Sequence, residues 1–464
     1  MSVRAYISAV ASPLVGVILG MGCVGASADT LEWALVQAYQ NNPSLNSQRA
    51  ALRVIDENVP QALSGYRPKL SVIGTAGPNY EKATQLFPGS TPTTAETFYQ
   101  RTVGVNASQT LFNGFQTANK TRQAESQVDA ARETLRVTEQ QVLLDAATAY
   151  MNLLRDGAIL ELNQSNVQVL TEQLKQTRDR FNVGEVTRTD VAQSESRLAA
   201  GRSALLGAQS NYVTSQANYR RVIGVDPGKL APATSVDRLS PNTLPRAIAQ
   251  GQALNPSVLA AMYGVDVAEL AVKVSEGALY PNLTLAGTAL TGQSPNFETA
   301  KEIQAAVVGT LTIPIYQGGA EYSTIRQSKE TLGQQRLTLD TNRDQARATV
   351  VQSWGQLDAA KAQIESTTAQ VNSAEIALNG VREEARVGQR TTLDVLNAQQ
   401  ELVNARVAFV TAQHDRVVAS YTLLAAVGAL SMQRLGLNVA IYDPMVHYQQ
   451  VRDAWIGVRI PDGR

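Results

Sequence analysis

The chain has 464 residues, and 40 basic side chains balance 40 acidic ones, so net charge is zero and the isoelectric point is about 6.8. That balance offers no basic surface for nucleic acid. Aromatic residues, at 5%, suit closely packed coils with small seam residues better than a large globular core.

The N-terminus reads as a signal peptide over 1–28. Arg4 precedes an apolar run from Ala5 to Gly25, and Ala26-Ser27-Ala28 places small residues for a cut after Ala28. The alternatives are a single membrane anchor or a lipidated Cys23, but Gly20-Met21-Gly22 lacks the usual leucine of a lipidation box. Cleavage leaves a chain without cysteine, which excludes disulfides, thiol catalysis and thiolate metal sites. No later stretch reaches the ~18 apolar residues of a membrane-spanning helix.

Residues 29–224 form a first structural unit. Thr30 to Asn41 is a short amphipathic helix with Leu31, Ala34, Leu35, Ala38 and Tyr39 on one side. Asn42-Pro43 breaks it, and Pro43 opens a second helix in which Pro60 predicts a kink. Strands follow over 68–80 and 99–112. In them Leu70 and Val72, then Val103, Val105, Ala107 and Leu111, alternate with small polar residues. Each run has about 10 residues, the length of a tilted membrane β-strand with one apolar face. A soluble hairpin capping the coils is the alternative. Glu81 to Glu96, rich in Thr, Pro and Ser, reads as a long loop.

From 114 to 224 the pattern is a long helical hairpin. Val128, Leu135, Val142 and Ala149 recur every seven residues, and the series resumes at Leu153, Leu160, Val167, Leu174 and Phe181. The step from 149 to 153 is a four-residue slip, which locally unwinds a supercoil. A helix from Gly114 to Val183 would be roughly 100 Å long. Val191, Leu198, Leu205, Tyr212 and Tyr219 line the returning arm, which stops at Gly224.

A Pro-containing linker covers 225–243, and then the unit repeats over 244–430. The landmarks Gly114, Gly184, Asp190 and Gly224 recur as Gly318, Gly388, Asp394 and Gly428; 318 − 114 and 428 − 224 both equal 204. Asn42-Pro43 recurs as Asn255-Pro256 and Pro68 as Pro281, at an interval of 213. The second strands fall at 282–292 and 302–316, with Val307, Leu311, Ile313 and Ile315 on one face and Pro314 marking a strand end. The second hairpin covers 318–428, with seam residues Leu332, Leu339, Ala346, Ser353, Leu357, Ile364, Val371, Leu378 and Ala385. The tail, 431–464, shows no strong periodicity.

Four candidate membrane strands cannot close a barrel, and an open edge in lipid leaves backbone groups unpaired. Several chains must therefore pool strands, and the helices that continue from them should form a hollow cylinder. A secreted chain of this kind is a conduit from the outer membrane into the periplasm.

From about Leu31 to Leu430 the chain resembles the TolC-type outer-membrane channel family. The resemblance rests on the twofold repeat, Asn42-Pro43 and Asn255-Pro256, Tyr66-Arg67-Pro68 and Tyr280-Pro281, and Pro314-Ile315-Tyr316-Gln317-Gly318-Gly319. It rests above all on the turns Phe181-Asn182-Val183-Gly184-Glu185-Val186-Thr187-Arg188-Thr189-Asp190-Val191 and Val387-Gly388-Gln389-Arg390-Thr391-Thr392-Leu393-Asp394-Val395-Leu396-Asn397-Ala398. The resemblance implies an α+β membrane protein: a homotrimer whose 12-stranded outer-membrane β-barrel continues as a periplasmic coiled-coil barrel of 12 helices. It implies a passive exit duct of a tripartite efflux pump or type I secretion system. The partners it implies are a periplasmic adaptor (membrane fusion protein) and an inner-membrane pump of ABC, RND or MFS type.

The turns at Val183-Gly184 and Val387-Gly388 should then sit at the periplasmic tip and face the adaptor. Asp190 and Asp394 stand where residues that cap a helix start are favoured. The resemblance adds that Asp394 projects into the closed mouth as an acidic ring, attracting cations. It places Asp190 and Arg390 in polar links that hold the mouth shut. Asn397 stands where the family often has a second acidic ring, and Ala385 where an aromatic can join the constriction.

His414, among Gln413, Asp415 and Arg416, reads as a solvated helix residue, and His447 gives no ligand pattern. Trp33, Trp354 and Trp455 read as packing residues; Trp354 repeats Tyr150. No nucleophile–base pair, metal spacing or phosphate loop is visible, so the sequence suggests no enzyme, cofactor or metal. The competing reading is a soluble periplasmic adaptor or structural rod.

Overall fold

The computed structural model describes residues 29–84, 88–293 and 301–461. The leader over 1–28, with Cys23 and Ala28, lies outside the described residues. In chain order, α1 (Leu31–Asn41), α2 (Pro43–Asp56) and α3 (Asn58–Leu63) lead into β1 (Lys69–Thr84) and β2 (Thr93–Asn113). Then come α4 (Gln116–Asn182) and α5 (Arg188–Ile223). The second copy runs α6 (Leu244–Leu254), α7 (Pro256–Glu276), β3 (Asn282–Gln293), β4 (Lys301–Thr312), α8 (Ala320–Arg386) and α9 (Thr392–Ala426). The tail holds α10 (Met432–Leu435) and α11 (Pro444–Val451).

The two copies differ at one proline. Pro60 lies in α3, and the helix breaks before it at Glu57. The equivalent residue, 60 + 213 = 273, is Lys273, and α7 runs unbroken for 21 residues. Proline lacks the N–H an interior position must donate.

The strands form one antiparallel sheet in the order β1-β2-β3-β4. The register brings Leu70 opposite Ala107, Val72 opposite Val105, Val105 opposite Ala289, and Gly287 opposite Val307. One face is thus a continuous apolar row, and the other carries Ser71, Thr75, Thr102, Asn106, Thr288 and Gln304. Leu70, Val72, Val103, Ile303, Val307 and Leu311 are all exposed. The outer edges of β1 and β4 pair with no other strand among the described residues.

Strand lengths correct the sequence reading. β1 reaches Thr84 and β2 starts at Thr93, so half of 81–96, its two flanks, is hairpin arm rather than loop; Thr84 pairs with Thr93. Threonine fits a strand on either face, and with polar residues on both faces the alternation disappears. β4 stops at Thr312, so Ile313 and Ile315 lie beyond it, next to Pro314, which cannot donate to a ladder.

Helices α4 and α8 have 67 residues each, about 100 Å at 1.5 Å per residue. The returning arms are only 36 and 35 residues, so the strand-proximal half of each long helix finds other partners. α4 is covered there by α1, α2, α3 and α7, and α8 by α6 and α7. The change of partner falls where the heptad slips: Tyr150 and Tyr219, at the end of α5, are buried with ring centroids 6.4 Å apart. Val128, Leu135, Val142, Ala149, Leu153 and Leu174 are buried as the seam required, and Phe181, at the tip, is exposed.

Two side chains anchor this junction. Asn42 accepts the amides of Ser44 and Leu45 at 2.9 and 3.3 Å, capping α2, while its Nδ2 donates to the Val222 carbonyl at 3.0 Å. Asn255 repeats the device, accepting the Ser257 amide at 2.9 Å and donating to the Ala426 carbonyl at 3.1 Å. Each asparagine starts one helix and holds the end of another.

The tail is more ordered than its lack of periodicity suggested. It runs over α2 and α4 as a strap. Arg49 lies over the rings of Tyr39 and Tyr442, and Arg132 lies over Tyr448. His447 Nδ1 is 2.9 Å from Asp56 Oδ2, and Asp56 is wholly buried, which pushes its carboxyl pKa up. His414 is also corrected. It is buried, with Nε2 2.9 Å from Asn152 Oδ1 on α4 and Nδ1 2.8 Å from Asp415 Oδ1, and burial lowers its pKa. Its sequence neighbours are polar, but α9 turns this position toward α4.

Asn42→Ala and Asn255→Ala should each cost about 1–2 kcal/mol, from a lost cap and an unpaired carbonyl. Denaturant midpoints of the purified protein check this. Equal midpoints for wild type and both variants would show that the asparagines do not hold the junction.

Candidate functional site

The site is the pair of turns that end the long helices. α4 closes with the Gly184 amide on the Phe181 carbonyl at 3.0 Å and the Glu185 amide on Arg180 at 2.9 Å. α8 closes identically, with Gly388 on Ala385 at 3.2 Å and Gln389 on Glu384 at 2.9 Å. This double closure needs a left-handed residue, and Gly184 and Gly388 have φ of 82° and 81°. The exposed Val183 and Val387 precede them.

Each return helix begins with a reciprocal cap. The Asp190 amide donates to Thr187 Oγ1 at 3.3 Å, and the Thr187 amide donates to Asp190 Oδ2 at 2.9 Å. Thr391 and Asp394 repeat it at 3.2 and 2.9 Å. Threonine and aspartate three apart thus satisfy two orphan amides at once. The hydrogen bonds from Thr187 and Thr391 hold both aspartates below the usual carboxylate range. Both side chains are therefore anionic at neutral pH.

A salt bridge staples each turn, with opposite polarity in the two copies. In the first, helix residue Arg180 meets turn residue Glu185 at 3.0 Å. In the second, Glu384, at 180 + 204, meets Arg390 at 2.9 Å. Asp190 and Arg390, expected in a common set of polar links, are not brought together within one chain. Arg390 engages Glu384 through Nε, and Asp190 engages Thr187.

The sequence reading missed what Asn397 touches. Arg197 Nη2, on α5, donates to Asn397 Oδ1, on α9, at 2.7 Å, joining the two hairpins near their tips. Beside it, Leu396 is buried against Leu170, Leu174 and Leu198 of the first hairpin. The available signal was Leu396 itself, a large apolar residue that lies off the seam running through Val395 and Leu402.

A family model described as outer membrane efflux protein matches residues 34–225 and 247–429, the two repeats in turn. The outer membrane efflux protein BepC of Brucella suis biovar 1 is 43% identical over 440 residues, 95% of this chain and 94% of its own length. The chain belongs to the outer membrane efflux protein family. Outer membrane protein TolC of Escherichia coli is 26% identical over 462 residues, 93% of this chain and 90% of its own. In fold, the chain resembles the Campylobacter jejuni CmeC outer membrane channel, with a TM-score of 0.77 at 16% identity over 91% of this chain and 89% of that one.

As a member of the outer membrane efflux protein family, the chain is a passive exit duct of the outer membrane with a helical periplasmic extension, serving efflux or type I secretion. The soluble-adaptor reading is set aside. The family is one of channels rather than enzymes. Among the described residues no cluster of side chains could hold a metal ion, and no helix is long and apolar enough to cross a membrane.

The caps make a pH-dependent statement. Because both aspartates titrate below the ordinary value of 3.8, their contribution is complete above that pH and is lost as pH falls through the lower folded values. Thr187→Ala should speed amide exchange in the first turn of α5 about fivefold at neutral pH, the usual loss for an N-cap. Acidification through the lowered pKa of Asp190 should shrink the difference without erasing it, because the Thr187 hydroxyl still accepts the Asp190 amide when the carboxyl is protonated. Equal exchange rates at neutral pH would show that the cap does not hold this turn.

Proposed function

We propose that three copies assemble into one duct, and that the turns described above form its periplasmic mouth. The observation that carries the reading is a four-stranded sheet, apolar on one face, whose outer edges pair with no strand among the described residues. Pairing β4 of one copy with β1 of the next, three times over, gives 3 × 4 = 12 strands in a closed barrel with no edge in lipid. The helices support the same assembly. Exposed Leu206 and Val213 on α5 are seven apart, and exposed Leu337 and Val351 on α8 are fourteen apart. Heptad-spaced apolar residues with nothing against them are an unfilled coiled-coil seam.

In that assembly Asp394 forms a ring of three carboxylates at the mouth, and Asn397 a neutral ring beside it. Carboxylates converging in a narrow pore favour cations. Asp190 and Arg390 link neighbouring subunits, and the Arg197–Asn397 contact holds the two hairpins of each subunit together. Opening requires these links to yield. Val183, Gly184, Val387 and Gly388 form the surface that a periplasmic adaptor grips. An inner-membrane pump of ABC, RND or MFS type supplies cargo and energy, and outer-membrane lipid surrounds the sheet.

Channels reconstituted in planar bilayers test the mouth. Asp394→Ala should cut the cation-to-anion permeability ratio several-fold, read from reversal potentials in a salt gradient; unchanged potentials would remove the ring. Arg390→Ser and Arg197→Ala should each raise single-channel conductance. Wild-type currents in both would rule out the latches.

A further inference from the structure

The tail beyond α11 carries an apolar stretch that is exposed among the described residues. Trp455, Ile456, Val458 and Ile460 are exposed, with Ile456 at 96%. Four large apolar residues exposed within 455–460 form a patch of the kind that marks a protein or membrane contact. Its position is fixed by Arg67. The Arg67 Nη1 donates to the Ala454 carbonyl at 2.6 Å, and its guanidinium lies 4.7 Å from the Trp455 ring centroid. Arg67 stands two residues before Lys69, where β1 begins.

That level of the molecule carries a second signal. Each junction between strand and helix bears an exposed aromatic: Tyr66 before β1, Phe115 after β2, Tyr280 before β3 and Tyr316 after β4. Membrane barrels carry aromatic girdles where hydrocarbon gives way to headgroups, because an amphipathic ring is stable there. Trp455 is pinned by Arg67 at the level of this girdle.

We propose that residues 454–461 form an interfacial lipid-binding segment, lying in the phospholipid headgroup layer on the periplasmic side of the outer membrane. Trp455, Ile456, Val458 and Ile460 enter the boundary between headgroups and acyl chains. Arg459 reaches back to phosphate oxygens, the arrangement that long basic side chains adopt at such a boundary, while Arg452 stays paired with Glu125 at 3.6 Å. The segment fastens the strap over α2 and α4 to the bilayer outside the barrel wall. This rests on the reading that the sheet lies in the membrane, and the test separates the two.

A nitroxide is attached to Val458→Cys, with Cys23→Ser, in the full-length protein in phospholipid vesicles. Collision rates with oxygen, which concentrates in lipid, and with a water-soluble nickel chelate are compared by electron paramagnetic resonance. Leu70→Cys serves as the lipid control and Val183→Cys as the water control. Val458→Cys should favour oxygen, as Leu70→Cys does, and adding Ile456→Asp and Ile460→Asp should shift it toward the chelate. If Leu70→Cys is oxygen-rich and Val458→Cys matches Val183→Cys, the proposal is overturned. Shielding of Val458→Cys from both reagents would place a second copy over the segment and overturn it equally. If Leu70→Cys itself meets the chelate, the membrane placement of the sheet fails first.

Discussion

A backbone N–H or C=O that faces hydrocarbon has no water to fall back on, and each one left unpaired costs several kcal/mol. That constraint governs this molecule. Its sheet pairs internally across three ladders and then stops, leaving both edges of the four strands unpaired among the described residues. On the proposed assembly, the chain is a sector of a wall. The long helices inherit the same condition, with buried seams toward their own hairpin and exposed heptad-spaced residues on the outside.

The duplication makes a sector that can be tiled. Each half delivers two strands, one helix of about 100 Å and one return arm half as long. The returning arms end at the asparagine-capped junction, where the seam slips by four residues and small helices take over as packing partners. Below it the hairpins are thin, with narrow cores such as Ala374, Leu378, Leu402 and Ala405. Above it lies the broad cluster that includes Leu35, Leu143, Tyr150, Ile223 and Leu424. A broad upper core and slender lower hairpins suit a duct anchored at one end and able to move at the other.

What the sequence showed and what it hid follow from locality. Glycine in a left-handed turn, Thr-x-x-Asp at a helix start and apolar residues at sevens are short-range signals, and the turns at Gly184 and Gly388 stand where they were read. The faces of the sheet were legible because alternation is local too. His414 was misread because its burial depends on α4, some 260 residues earlier in the chain. The Arg197–Asn397 contact joins separate repeats, and no spacing within one repeat encodes it. The outer arms of β1 and β2 were taken for a loop because polar residues on both faces leave no alternation to see. The strap over α2 was hidden because its contacts are single aromatic residues on scattered arginines.

The central claim is that the strand edges are closed by copies of the same chain, and particle mass tests it most directly. Native mass spectrometry of the protein extracted from membranes in mild detergent should give a species of three chains, with no stable single chain. A conducting, membrane-extracted protein whose mass corresponds to one chain would contradict the account, because four strands would then be standing in lipid with their edges open.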